Sequence, residues 1–104
     1  MNNTDFYRTE LLVGQKGSQK LAQTSVAVIG LGGVGSYSAE ALARSGIGKF
    51  ILIDFDVIEP SNINRQILAL QSTIGKPKVE LMQQRIRDIN PKASDYLSGS
   101  SGWK

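Results

Sequence analysis

Three glycines closing a short aliphatic run are the residues of this chain best equipped for chemistry. The stretch VAVIGLGGVG (residues 26–35) passes from a β-branched strand into the turn Gly30-x-Gly32-x-x-Gly35. Gly30 permits a tight turn, and Gly32 lets backbone come close to phosphate oxygens. Gly35 lets the next helix pack against its strand, and the first turn of that helix offers unpaired N–H groups to an anion. A second buried strand, KFILIDFD (49–56), ends at Asp54. In such folds a carboxylate about 20 residues beyond the glycine turn meets the ribose hydroxyls of a nucleotide.

The residues after Asp54 narrow the chemistry. DFDVIEPSNINRQ supplies a second acid, Asp56, and then Ser61, Asn62, Asn64, Arg65 and Gln66; GKPKVE adds Lys78. Arginine offers a fixed fork for phosphate oxygens, and lysine a point charge that follows charge developing on a leaving pyrophosphate. Hydride transfer has no use for such a cluster. A reaction that redistributes charge along a phosphate chain does.

Composition bounds the rest. The chain has 104 residues, room for one small domain, and a 40% hydrophobic, 20% charged make-up that suits a globular protein. It has neither cysteine nor histidine, so thiolate chemistry, disulfides, zinc ribbons and the usual general base are excluded within it. Catalysis falls to Arg, Lys, Asp and backbone. No stretch approaches the roughly 20 apolar residues of a membrane span, and MNNTDFYRTE lacks the basic and apolar regions of a signal peptide. A cytoplasmic location without membrane contact is expected. Twelve basic against nine acidic residues leave a mild +3, compatible with an RNA partner without arguing for one.

Patterning places these residues on elements. Residues 5–24 read as a polar, partly amphipathic lead-in broken at Gly14 and Gly17. A strand over 26–30 precedes a helix from about Val34 to Ser45, in which Val34, Tyr37, Ser38, Ala41 and Leu42 recur at helical spacing. Its small residues Ser36, Ser38, Ala39, Ala41 and Ala43 suit a helix pressed on a sheet. The strand over 49–54 must pair in parallel with the first, because a helix intervenes. VIEPSN reads as a loop broken by Pro60, and INRQILALQ as a short helix. After Gly75 and Pro77 comes a helix whose Val79, Met82, Ile86 and Ile89 share one face; Asn90-Pro91 stops it. The fold class is α/β, a Rossmann-like parallel sheet with flanking helices.

Beyond Pro91 the patterning fades, although a few residues around Ala93–Leu97 could attempt a strand. SGSSG (98–102) has the composition of a flexible linker. Residues 1–92 are therefore expected to form the N-terminal part of a nucleotide-binding domain. Residues 93–104 are expected to be a non-matching, flexible tail on a truncated chain.

VAVIGLGGVGSYSAEALARSGIGKFILIDFD…SNINRQ…GKPKVELM…RIRDINP resembles the adenylating enzymes related to ubiquitin-activating E1, which include the molybdopterin- and thiamine-pathway sulfur-carrier activators. Within that group GGVGSYSAEALARSGIG and NINRQILAL look most like the bacterial tRNA threonylcarbamoyladenosine dehydratases. The resemblance covers about residues 5–92. It implies ATP as the nucleotide, with Gly33 approaching its phosphates and Asp54 on its ribose. It also implies that Ser61 to Arg65 line the nucleotide, with Asn62 and Arg65 near the phosphates and Gln66 beside them, while Lys78 contacts the phosphates and stabilises the transition state. Arg8 matches an arginine that reaches across a homodimer into the neighbouring site. Mg2+ is implied as well, but no position matches the aspartate that would hold it, so no metal ligand is assigned.

The activity implied is adenylation of a carboxylate, in the dehydratase branch that of threonylcarbamoyl-adenosine 37 of tRNA, which then cyclises. The 104-residue chain alone is expected to be inactive. Three other readings compete: activation of a ubiquitin-like or sulfur-carrier protein tail, a nicotinamide-dependent oxidoreductase, and an inactive nucleotide-binding remnant.

Overall fold

The computed structural model describes residues 6–99. Three parallel strands, β1 (Ser25–Ile29), β2 (Lys49–Asp54) and β3 (Ser94–Gly99), lie in the order β1-β2-β3. Helix α1 (Tyr7–Gln23) leads into β1, α2 (Gly33–Arg44) connects β1 to β2, and α3 (Lys78–Ile89) precedes β3. The expected parallel pairing of the first two strands is present, with Val28 opposite Leu52.

Register sorts the side chains onto two faces. Val28, Leu52 and Leu97 are paired in one row and buried, with Phe50 one step along. Helices α2 and α3 touch each other and cover this face, contributing Ala39, Ala43, Val79, Met82 and Ile86 to the core. The α3 stripe is the one that the 3.6-residue period picks out. On the other face Ala27 and Tyr96 are exposed and Ile29 is 77% exposed. There the Lys49 ammonium sits 4.8 Å from the centre of the Tyr96 ring, a cation–π contact.

Three expectations change. The face α2 buries is Ser36, Ala39 and Ala43, while Val34 and Tyr37 are exposed. The cause is the close approach at Gly35: a Cβ there would overlap the Gly30 carbonyl oxygen, so the helix rests on its smallest residues. Secondly, 63–70 forms successive turns rather than a helix, with the amides of Arg65 and Gln66 both donating to the Asn62 carbonyl. Leu68 and Ala69 are buried side by side, which a turn allows more readily than one face of a helix.

Thirdly, strand β3 occupies part of the segment expected to be flexible. It pairs with β2 along its whole length, from Lys49 opposite Ser94 to Asp54 opposite Gly99. A parallel ladder is made by backbone, so a polar sequence can join it when the neighbour is well ordered. Asp95, on the helix face, is accommodated because Oδ1 accepts hydrogen bonds from Gln83 Nε2 (2.6 Å) and Arg87 Nη2 (3.4 Å). Residues 100–104 of the expected tail lie outside the described residues.

The two helices are also clasped by charge. Glu40 of α2 accepts from Arg44 on its own helix and from Arg85 of α3. The Arg85 hydrogen bond is the main influence holding the Glu40 carboxyl below the usual carboxylate range, against the opposing effect of its burial. Arg44 and Arg85 are well exposed, so each contact contributes at most about 1 kcal/mol.

Candidate functional site

At the C-terminal end of β1 the chain turns through Gly30, whose φ of 88° lies in the left-handed region that favours glycine. The Gly30 amide donates to the Ile53 carbonyl (2.8 Å), which pins the turn to the end of β2. One residue on, the Leu31 amide donates to Asp54 Oδ2 at 2.6 Å. The other carboxylate oxygen, Oδ1, accepts the Asp56 amide at 2.7 Å, an Asx-turn. Asp54 thus stands beside the glycine turn, 9% exposed, with both oxygens engaged by backbone.

The loop after β2 is zipped to the start of α3. Val57 bridges Pro77, the Ile58 amide donates to the Lys76 carbonyl, and the Lys78 amide donates to the Asp56 carbonyl (3.1 Å). Lys78 is thereby carried to the strand end where Asp54 lies. It is only 6% exposed, and among the described residues it forms no ion pair. Its stem is packed while no ion pair among those residues engages its ammonium, which leaves that cation available to an anion.

Residues 60–66 lie over the turn. Pro60–Asn62 is a short 3-10 turn, and Asn62 is buried with its Oδ1 accepting the Glu59 amide at 2.9 Å. Arg65 is exposed, and its Nη1 donates to the Ser61 carbonyl and to Asn64 Oδ1, both at 2.9 Å. These bonds hold the guanidinium along its own loop. Ser61, Asn64 and Asp56 are exposed. Gln66 is buried, and its Oε1 has no hydrogen-bond partner. A Cβ built on Gly32 would lie 3.7 Å from Gln66 Nε2, and one on Gly33 would lie 3.9 Å from the Arg65 carbonyl oxygen. These are ordinary contacts, so Gln66 and the Arg65 backbone lie directly beside Gly32 and Gly33. Within the turn it is Gly35 where the protein's own backbone forbids a side chain.

The fold therefore gathers Gly30, Gly32, Gly33 and Gly35 with Asp54, Asp56, Gln66, the 61–65 loop and Lys78. It does not gather Arg8. That residue is exposed on α1, two positions after Phe6, which packs beside Gly46 at the opposite end of the sheet. A groove lined by Phe6, Arg44, Asp88, Ile89 and Pro91 lies at that same far end, away from the glycine turn. Two contributors escaped the sequence reading. The Leu31 amide carries no side-chain signal at all, whereas Glu59 was legible in Glu-Pro-Ser-Asn, a capping pattern with proline at its first position. For Mg2+ the fit is absent: no group of three His, Cys, Asp or Glu that could hold a metal converges among the described residues. No helix among them is long and apolar enough to cross a membrane.

Comparison with known proteins places this geometry. The chain is 55% identical over 87 residues to a tRNA threonylcarbamoyladenosine dehydratase of Bacillus subtilis, covering 84% of this chain and 34% of that protein. It is 41% identical over 96 residues to the sulfur carrier protein ThiS adenylyltransferase of Escherichia coli, covering 88% and 38%. Among solved structures, the E. coli tRNA N6-threonylcarbamoyladenosine dehydratase in complex with ATP superposes with a TM-score of 0.88 at 47% identity, over 90% of this chain and 39% of that one. The chain thus spans about a third of the length of the curated dehydratases it matches. The ThiF family matches residues 7–96, past the end of α3 and into β3, and with the glycine turn, Asp54 and Lys78 all inside that match, the chain belongs to the ThiF family.

Proposed function

We propose that this chain is the ATP-binding part of an enzyme that adenylates a carboxylate, the carboxylate being that of threonylcarbamoyl-adenosine in tRNA. The observation that carries the nucleotide site is the glycine turn at the end of β1, tied through the Leu31 amide to Asp54 at the end of the adjacent parallel strand β2, with Gln66 and the Arg65 backbone beside Gly32 and Gly33. That is where open α/β sheets bind ligands. The dehydratase relatives direct the choice of substrate.

In this reading the free amides at the start of α2 hold the phosphates, and Asp54 accepts the ribose hydroxyls. Ser61, Asn62, Asn64 and Asp56 line the nucleotide. Gln66 offers the hydrogens of its Nε2 to the phosphates. Lys78 and Arg65 carry the catalytic load. The substrate carboxylate attacks the α-phosphorus, the bond to the bridging oxygen breaks, and pyrophosphate leaves with its added charge facing the two cations. The acyl-adenylate is then attacked by the carbamoyl nitrogen or oxygen of the same residue, closing a ring and expelling AMP. No cysteine is required. Arg8, remote from its own site, would serve the site of a second copy in a homodimer. A tRNA substrate sets the work in the cytoplasm.

The ThiS adenylyltransferase relative motivates the second reading, activation of a protein tail. A pyrophosphate-release assay on the full-length enzyme separates the two. Release is expected with tRNA carrying threonylcarbamoyl-adenosine, and none with a ubiquitin-like protein ending in Gly-Gly. Activity with the protein tail alone would move the chain to the sulfur-carrier branch.

A further inference from the structure

Asp54 has a second task, which rests on the nucleotide site proposed above: we infer that it is the positioning residue that shapes the glycine turn, independently of any ribose it binds. Its carboxylate joins two segments that are remote in sequence. Oδ2 holds the Leu31 amide inside the turn at 2.6 Å, and Oδ1 holds the Asp56 amide at 2.7 Å. The Asp56 carbonyl in turn accepts the Lys78 amide at 3.1 Å. Three hydrogen bonds therefore run from the glycine turn, through one carboxylate, to the first residue of α3.

The tie is well placed to set geometry. The Leu31 side chain is fully buried, so its amide cannot swing away to find water. Helix α2 begins two residues later, at Gly33. A small rotation at Leu31 therefore re-aims the amides that would meet a phosphate. An ionised carboxylate accepts roughly four hydrogen bonds, so two backbone donors leave room for two ribose hydroxyls. Bonds from backbone amides to a charged acceptor are also stronger than neutral ones. The carboxylate thus makes the ribose end and the phosphate end of the site one rigid unit.

The two tasks separate with a ligand that has no ribose. Inorganic tripolyphosphate and ATP are titrated calorimetrically into the 104-residue chain and into its Asp54→Ala and Asp54→Asn variants. Amide exchange of Leu31 is followed by NMR without ligand, with Ile86 in α3 as the reference for global stability. Asp54→Ala is expected to weaken tripolyphosphate binding about tenfold or more, and to speed Leu31 exchange by a similar factor relative to Ile86. Asp54→Asn keeps one carbonyl oxygen, so it should fall between; it carries the comparison if the alanine variant fails to fold. Unchanged tripolyphosphate affinity and unchanged relative exchange at Leu31, with ATP alone weakened, would overturn the inference and leave Asp54 a ribose ligand only. If the parent chain binds neither ligand, the nucleotide reading falls, and Leu31 exchange still decides whether Asp54 holds the turn.

Discussion

Gly35→Ala is expected to abolish ATP binding and to lower the melting temperature of the chain by about 10 °C or more. The added Cβ would overlap the Gly30 carbonyl oxygen, which is itself fixed by the Gly30 amide bonded to Ile53. Neither partner is a flexible side chain, so relief requires lifting α2 off the sheet. Overpacking of this kind costs about 2–3 kcal/mol, and in a domain of this size each kcal/mol is worth about 4–8 °C. Gly30→Ala makes the informative contrast. Nothing lies within 4 Å of the Cβ position there, and only the positive φ of 88° penalises a side chain, at about 1–2 kcal/mol. Thermal melts and ATP titrations of the two variants rank them. A Gly35→Ala chain that melts with the wild type and keeps its affinity would mean that the helix does not press on the turn as described.

Lys78→Met should separate binding from stability in the opposite sense. The lysine stem is buried and its ammonium has no ion pair among the described residues, so removing the charge costs the ligand-free fold little. Replacing it with an apolar chain of similar length should leave the melting temperature unchanged or raise it. ATP affinity should fall about tenfold to a hundredfold, the worth of a charge-assisted bond to phosphate. Lys76→Met, at an exposed position two residues earlier, should change neither quantity appreciably. Calorimetric titration alongside a thermal melt tests both halves. A Lys78→Met protein that is strongly destabilised but binds ATP as well as the parent would show that the lysine serves the fold and not the ligand.

These two residues illustrate which parts of the site were legible beforehand. The glycine turn and Asp54 stand out because each follows a run of aliphatic residues, and β1, β2 and the stripe of α3 follow from the same alternation and periodicity. Helix α2 was harder. Its most hydrophobic residues, Val34 and Tyr37, point outward, while the buried line of Ser36, Ala39 and Ala43 is chosen by clearance above the strand. Strand β3 lacks a clear strand signature in the sequence because Asp95 and Gly99 replace apolar residues on its helix-facing side. Asp95 is tolerated there through Gln83 and Arg87, which no period reveals. Gln66 is expected at the site from the sequence, but its contact with Gly32 depends on how the turns of 60–66 hydrogen-bond to one another.

The nucleotide that this site accepts decides its chemistry. A Rossmann-like glycine turn followed by an acid is shared with nicotinamide-dependent oxidoreductases. What differs here is Gln66 and the Ser61–Arg65 loop beside the glycine turn, and Lys78 tied by its amide to the Asp56 carbonyl. The direct measurement is ligand-observed NMR on the chain with ATP and NAD in the same tube, followed by competition of each with the other. ATP is expected to bind and to displace any weakly held NAD, and Asp54→Ala should weaken ATP binding about tenfold or more. Saturable NAD binding that ATP fails to displace would contradict the account.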